Sequence, residues 1–320
     1  DTGSAITTKA AAVTADRMVL NGTITGQTAG TFTLGALTSG TAISLNGSSG
    51  LNLDTTKVIG FGTDVIGDLN TATLTVAGAS AMAGDITLNA QTIAVNAALT
   101  AGSGTSAKNI TLNAGAAITE GTSGAVKADV LDVEASGKPV TLDNANNAVT
   151  TLQGKSGALT FKETDGFSTG ALTTTGAASL TTISGGITAA DALSVGGKLT
   201  ADAAGAFTIA ADKTVSSTGA AITAGSLVTN TGSALNGKTG DITLQADSFT
   251  LPDNTVQGTG ILTVDTKSKG NSFEIGTTAT PASGKTVLSG TAFAKDGFKQ
   301  VVLGSTEDTG ALTVGTVTAN

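Results

Sequence analysis

The sequence contains no cysteine, histidine, tryptophan or tyrosine among its 320 residues. Without cysteine, a disulfide framework and a thiolate-bound metal are excluded, and without histidine there is no Ser-His-Asp or Cys-His catalytic arrangement. Trp and Tyr are the rings on which sugar-binding surfaces usually stack their ligands. We therefore expect no catalytic residues, no cofactor and no enzyme activity. Carboxylates are the only side chains left that could do acid–base chemistry.

Charged residues are scarce as well. They make up 12% of the chain, against roughly 25% in typical globular proteins, and the net charge is −8. Binding of nucleic acid needs clustered Lys and Arg. A membrane-spanning helix needs about 20 consecutive apolar residues, and the sequence has no such run. We expect neither a nucleic-acid partner nor insertion into a membrane.

What the chain does contain is small and apolar residues. It has 44 Gly, and 39% of its residues are hydrophobic. Disordered chains usually combine low hydrophobicity with high charge, so this composition favours an ordered protein. Side chains of Ala, Val, Leu and Ile suit a core only one or two side chains across, which is the interior of a solenoid.

A short strand pattern recurs along the whole sequence. Apolar residues alternate with Thr at 31–35, 72–76 and 261–265, and each segment is bounded by Gly, Asn or Asp. A period of two places the apolar side chains on one face of a strand and Thr on the other. Closely spaced Gly would break any long helix. The pattern indicates an all-β protein.

Some of these strands are near copies of one another. Residues 84–90 (GDITLNA) return as 108–114 (KNITLNA), 24 residues later, and 240–244 (GDITL) are a third copy. Ile222, Ile242 and Leu262 follow one another at steps of 20. Repeats of this length are typical of solenoids. We predict a single-stranded, right-handed parallel β-helix with about 20–24 residues per coil and on the order of 14 coils.

The solenoid is predicted to run continuously over residues 1–320. Its least regular stretches should be 138–168 and 268–310, which contain Pro139, Pro281 and clusters of Lys, Asp and Gly. Phe rings, among them Phe293, crowd these stretches and could fill the core where a coil widens.

The sequence resembles filamentous haemagglutinin-type bacterial exoproteins. The resemblance covers most of the chain and rests on the residues 13–16 (VTAD), 20–24 (LNGTI), 84–88 (GDITL) and 109–115 (NITLNAG), and on Leu-Asn-Gly at 45–47 and 235–237. It implies a right-handed β-helix exported through an outer-membrane transporter by two-partner secretion or as an autotransporter-type passenger. Such proteins work as adhesins, biofilm fibres or stalks. The Asn-Pro-Asn-Gly-like element that marks the family's secretion domain is missing, which favours an internal rod segment or an atypical member of the family.

Two carboxylates are the candidate site residues. Asp132 and Glu134 share one face of a predicted strand, while Leu131 and Val133 point to the other. Paired carboxylates could hold Ca²⁺ or serve a polysaccharide-active β-helix, but such a pair also suits a solvated outer face. Beyond these weak Ca²⁺ candidates no metal site is predicted. Three further carboxylates follow Gly at strand entrances and are predicted to cap turns: Asp68, Asp85 and Asp241.

Three functions remain open at this point. The leading one is a structural rod of a secreted bacterial surface fibre or adhesin, with a host or bacterial surface as partner. The second is a self-assembling filament or surface-layer subunit, since neither residues 1–20 nor 311–320 look like a capping element, and open strand edges can pair. The third is a polysaccharide-active enzyme. Because the sequence starts at Asp1, we expect a mature form or an excised segment.

Overall fold

The computed structural model describes residues 5–103, 106–277, 284–289 and 297–316. Within these residues the chain is almost entirely strands and turns, with one short 3-10 helix at Thr55–Lys57 and no α-helix. Parallel strands stack on one another to form a β-solenoid of about 12 turns. The predicted fold class is therefore confirmed.

The chain divides into two compact units, 1–163 and 164–320. The strands of the first unit are β1 Ala5–Thr7, β2 Ala10–Thr14, β3 Thr23–Thr25, β4 Thr31–Gly35, β5 Ile43–Leu45, β6 Leu51–Leu53, β7 Val58–Ile59, β8 Thr63–Ile66, β9 Thr73–Val76, β10 Ser80–Met82, β11 Asp85–Val95, β12 Ala98–Ser103, β13 Ser106–Ala107, β14 Ile110–Glu120, β15 Ala125–Glu134, β16 Val140–Leu142, β17 Ala148–Ser156 and β18 Leu159–Glu163.

The second unit continues the same kind of architecture. Its strands are β19 Phe167–Thr174, β20 Ala178–Thr182, β21 Ile187–Ala189, β22 Leu193–Val195, β23 Leu199–Asp202, β24 Ala206–Ile209, β25 Thr214–Ser216, β26 Ala220–Thr229, β27 Ala234–Asn236, β28 Ile242–Thr250, β29 Val256–Gln257, β30 Ile261–Asp265, β31 Ser272–Ile275, β32 Lys285–Leu288, β33 Gln300–Leu303 and β34 Leu312–Val314.

The two sequence copies in the first unit stack directly on each other. In the parallel pair β11–β14, Ile86 lies against Ile110 and Asn89 against Asn113. The Asn113 side-chain amide donates to Asn89 Oδ1 at 3.1 Å, 24 residues back along the chain. A bulge after Ala90 then shifts the register. The repeat seen in the sequence is thus the number of residues in one coil.

In the second unit the register agrees with the sequence spacing in one coil and departs from it in another. Ile242 pairs with Leu262, as the step of 20 predicts. Ile222, however, pairs with Leu244 rather than Ile242. The coil that joins β26 to β28 is two residues longer, because its turns take up extra residues while the alternation of inward and outward side chains is kept.

Long coils explain why the solenoid has about 12 turns and not the 14 expected. Thr31 of β4 pairs with Thr63 of β8, 32 residues further on, and this coil includes β5, β6 and the 3-10 helix. Leu262 pairs with Val301, 39 residues further on. The added residues form strands of their own, such as β5, which pairs with β9, and β31, which pairs with β32, and the strands on either side still stack.

Inward side chains form columns that run through successive coils. In the second unit one column alternates large rings with aliphatic residues: Phe167, Ile187, Phe207, Leu227 and Phe249. All five are buried. Alternation of large and small side chains lets neighbouring layers interdigitate, which keeps a narrow core filled.

The stretches predicted to be least regular contain strands. Residues 138–168 include β16, β17, β18 and the start of β19. In 268–310 the structure places β31, β32 and β33, whereas 278–283 and 290–296, with Pro281 and Phe293, lie outside the described residues. One continuous solenoid over 1–320 stays a prediction.

Leu112 tests the contribution of the inward columns. It is fully buried between Leu88 and Val133, so Leu112→Ala should lower the free energy of unfolding by about 2–5 kcal/mol, because a cavity replaces its side chain. Urea unfolding followed by circular dichroism measures the change. The control is Thr111→Ala at the neighbouring outward position, and an equal loss in both variants would contradict the predicted inside–outside alternation.

Candidate functional site

Asp132 and Glu134 lie at outward positions of β15. Leu131, which precedes Asp132, and Val133, which lies between the two carboxylates, are buried. The two carboxylates themselves are partly exposed. The alternation predicted from the sequence therefore holds in this strand. Both side chains are on one outer face of the first unit, but a shared face alone does not make a metal site.

The surroundings of the pair differ between its two members. Asp132 is in register with Thr111 and Gln153, and its Oδ1 atom is shielded from solvent without a hydrogen-bond partner. Glu134 is in register with Asn113 and with Lys155 of β17. Among the described residues no group of three His, Cys, Asp or Glu side chains could hold a metal ion. Asp132 and Glu134 thus remain a pair without a third ligand there.

The predicted turn-capping role is confirmed for Asp68. Its Oδ1 atom accepts hydrogen bonds from the N–H groups of Asn70 and Thr71, at 2.7 and 3.0 Å. This is the local Asx geometry expected at a turn. The carboxylate stabilises its own corner and contacts no other coil in this way.

Asp85 and Asp241 act differently from the prediction. Asp85 Oδ1 accepts the N–H of Asn109, 24 residues further on, at 2.9 Å. Asp241 Oδ1 accepts the N–H of Ile261, 20 residues further on, at 2.8 Å. Each carboxylate therefore reaches the next coil instead of closing its own turn. We call such a carboxylate, bonded to a backbone N–H of the following coil, a coil staple.

Three more coil staples occur at other corners. Asp16 accepts the N–H of Thr38 at 2.8 Å, Glu120 that of Asn144 at 2.7 Å, and Asp247 that of Ser268 at 2.7 Å. The Thr38 hydroxyl also donates to Asp16, and this is the main reason that the pKa of Asp16 lies below its usual value. The staples satisfy N–H groups at corners, where the strand ladder is interrupted.

Glu120 belongs to a buried polar network in the first unit. Asn147 is completely buried, and its Oδ1 atom accepts a hydrogen bond from the Val126 N–H at 2.6 Å. Its Nδ2 group donates to Glu120 Oε2 at 3.0 Å and to the backbone carbonyls of Leu142 and Lys162. Burial raises the pKa of Glu120 to about 6, although the donors from Asn144 and Asn147 oppose this shift. The network ties neighbouring coils together at one corner.

Asp64 is an ionisable residue that the sequence interpretation overlooked. It occupies an inward position of β8 and is 3% exposed. The signal was present in the sequence, because alternation places Asp64 on the same face as Ile66. A lone Asp in a short strand is nevertheless easily taken for a turn residue.

A cavity of about 410 Å³ is present in the second unit. Its apolar lining includes Phe273, Leu303 and Leu312, and Asn271 and Asp308 are among the polar residues. Leu303 and Leu312 stand in register with core residues of β30 and β31, so the cavity lies beside the last described strands. Asn271 already donates to the carboxylate of Asp247 at 3.1 Å.

Asp308, one of the polar residues that line this cavity, forms an ion pair with Lys269. Its ammonium contacts the buried carboxylate of Asp265 and lies 3.5 Å from Asp308 Oδ1. Asp308 Oδ2 also accepts Ser305 N–H at 2.8 Å. The charged groups are therefore used to hold the loop between β33 and β34.

No protein-family model matches this chain, and neither a curated protein nor a solved structure matches it. Within the part of the chain that the structure describes, no helix has the length and apolar character needed to cross a membrane.

The coil staples can be tested at Asp85. We expect Asp85→Ala to lower the free energy of unfolding by about 1 kcal/mol, because the Asn109 N–H loses its acceptor. Asp129→Ala is the matched control, since Asp129 is exposed on a strand of the same unit. Chemical denaturation of both variants gives the comparison. A change in Asp85→Ala no larger than in the control would contradict a stabilising role for the staple.

Proposed function

We propose that this chain is a structural rod segment of a secreted bacterial surface fibre or adhesin. In this role the protein reaches the cell surface through an outer-membrane transporter and contacts a host or bacterial surface. It performs no catalysis and needs no cofactor. The family resemblance of its repeats is one support for the proposal.

The observation that carries the proposal is the linkage of each coil to the next. Strands such as β11 and β14 pair in register over most of their length, and staples such as Asp85 to Asn109 add a bond between the same coils. Hydrogen bonds between parallel strands of successive coils run along the solenoid. Such an element extends in one direction by repetition, which suits a spacer.

The outer surface gives a second support. One outward column in the first unit consists of Thr with a single Ala: Thr75, Ala94, Thr119, Thr141 and Thr160. Small neutral side chains on exposed strands keep a long solenoid hydrated. They bring no acid–base pair, and this agrees better with a spacer than with an enzyme.

The location can be tested in the bacterium that produces the protein. Antibodies raised against residues 1–320 should label the surface of intact cells in immunogold electron microscopy, and deletion of the gene should reduce attachment. A chain carrying Asp132→Asn and Glu134→Gln should restore attachment as well as the unchanged chain does, because a rod does not use these carboxylates. Label confined to the cell interior would contradict the proposal. Failure of the folded double variant alone would instead favour a Ca²⁺ or enzymatic role.

A second candidate function is that of a self-assembling filament or surface-layer subunit. Core-facing residues of the last described strands are exposed: Val301 by 41%, Leu312 by 52% and Val314 by 56%. At the other end of the described chain Ile6, in register with the buried Ile24, is 61% exposed. A second copy stacked on these positions would cover apolar surface and pair the strand edges.

Assembly is tested with the chain of residues 1–320 at rising concentration. Sedimentation and electron microscopy should show end-to-end filaments, and Leu312→Lys should abolish them or shorten them. Leu37→Lys is the control, because Leu37 is 71% exposed but does not belong to these strands. Monomers of the unchanged chain at the highest concentration would rule this alternative out.

A further inference from the structure

Asp64 points into the core of the first unit. In β8 the side chains of Thr63 and Val65 face outward, and those of Asp64 and Ile66 face inward. Asp64 stands in register with Phe32 of β4 below and with Ile86 of β11 above, which are 0% and 1% exposed. A carboxyl group therefore occupies one position of a column that is otherwise apolar.

No cation or hydrogen-bond donor compensates this carboxyl group among the described residues. Its Oδ1 atom is buried without a hydrogen-bond partner. Strand β4 has no ionisable residue, and the single one in β11, Asp85, lies outward with its Oδ1 on the Asn109 N–H. Burial alone raises the pKa of Asp64 to about 7.

The protonated and ionised forms of Asp64 therefore fit this position unequally. A neutral carboxylic acid can be buried at moderate cost, whereas an ionised carboxylate without a partner loses its hydration and is strongly disfavoured. Because its Oδ1 atom is shielded from solvent, full hydration of the ionised form requires β8 to move away from β4 and β11. Gly60 and Gly67, which flank this segment, have φ values of 78° and 76°, a conformation that other residues rarely adopt.

We propose that Asp64 is a proton-controlled latch that keeps β8 closed between β4 and β11. With its proton in place, the carboxylic acid stays in the column between Phe32 and Ile86. When the proton passes to solvent, the segment Thr63–Ile66 opens so that the carboxylate is hydrated. The first unit is then most firmly closed under mildly acidic conditions.

The direction of the pH effect follows from the raised pKa. The folded chain holds the Asp64 proton more tightly than the unfolded chain, in which Asp titrates near 3.8. The contribution of the Asp64 proton to the stability of the folded chain is complete below pH 3.8. It is lost progressively as the pH rises towards about 7, and it is absent above pH 7. Carboxylates with lowered pKa values, such as Asp16 and Glu274, have the opposite pH dependence, so the effect of Asp64 must be measured as a difference.

The experiment compares the full chain with Asp64→Asn from pH 4 to pH 9. Asn is uncharged at every pH, so any constant cost of the substitution cancels from the pH dependence. The unfolding constant of the unchanged chain relative to the variant, obtained by urea titration, should rise about 1,000-fold over this range, tenfold for each unit of pKa shift. Asp129→Asn, at an exposed position of the same unit, should show no such rise. A constant ratio for Asp64→Asn would overturn the proposal.

Two measurements on the unchanged chain keep the test decisive if Asp64→Asn does not fold. The carboxyl ¹³C signal of Asp64 should titrate near pH 7, and a titration near pH 4 would overturn the proposal. Hydrogen exchange, corrected for the intrinsic effect of pH, should show faster opening of β8 amides above pH 7 than at pH 5. Equal protection at both pH values would equally reject the latch.

Discussion

The structure depends on the pairing of parallel strands in register from coil to coil. Each residue lies above its counterpart one coil earlier, as Ile110 lies on Ile86 and Leu262 on Ile242. Because side chains alternate with a period of two, this pairing fixes which residues enter the core. A coil can lengthen at its corners, but a strand cannot slip by one residue without exposing a column of apolar side chains.

This constraint gives the carboxylates their roles. At the corners the strand ladder is interrupted and N–H groups need acceptors, which Asp85, Asp241 and Glu120 supply to the next coil. Within a strand, the same residue type faces either water or the core. Asp132 faces outward and Asp64 inward. At the inward position, ionisation of the side chain conflicts with the packing of the apolar column.

Asn147 and Asp64 are two polar side chains buried in different ways in the first unit. Asn147 is fully buried and uses both its oxygen and its amide in hydrogen bonds, so it fastens a corner. Asp64 has no such network and therefore becomes sensitive to pH. The proposed rod would thus combine corners that stay fixed with one strand that responds to a proton.

The sequence by itself determined the class of fold and the number of residues in several coils. Alternation and near copies such as 84–90 and 108–114 are local properties, and identical strands stack best on one another. Only the tertiary structure decided that Ile222 pairs with Leu244, that Asp85 bonds the following coil and that the chain forms two units. It also showed Asp64 enclosed by Phe32 and Ile86. These features depend on how many residues each corner absorbs, and corner length leaves no periodic signal in the sequence.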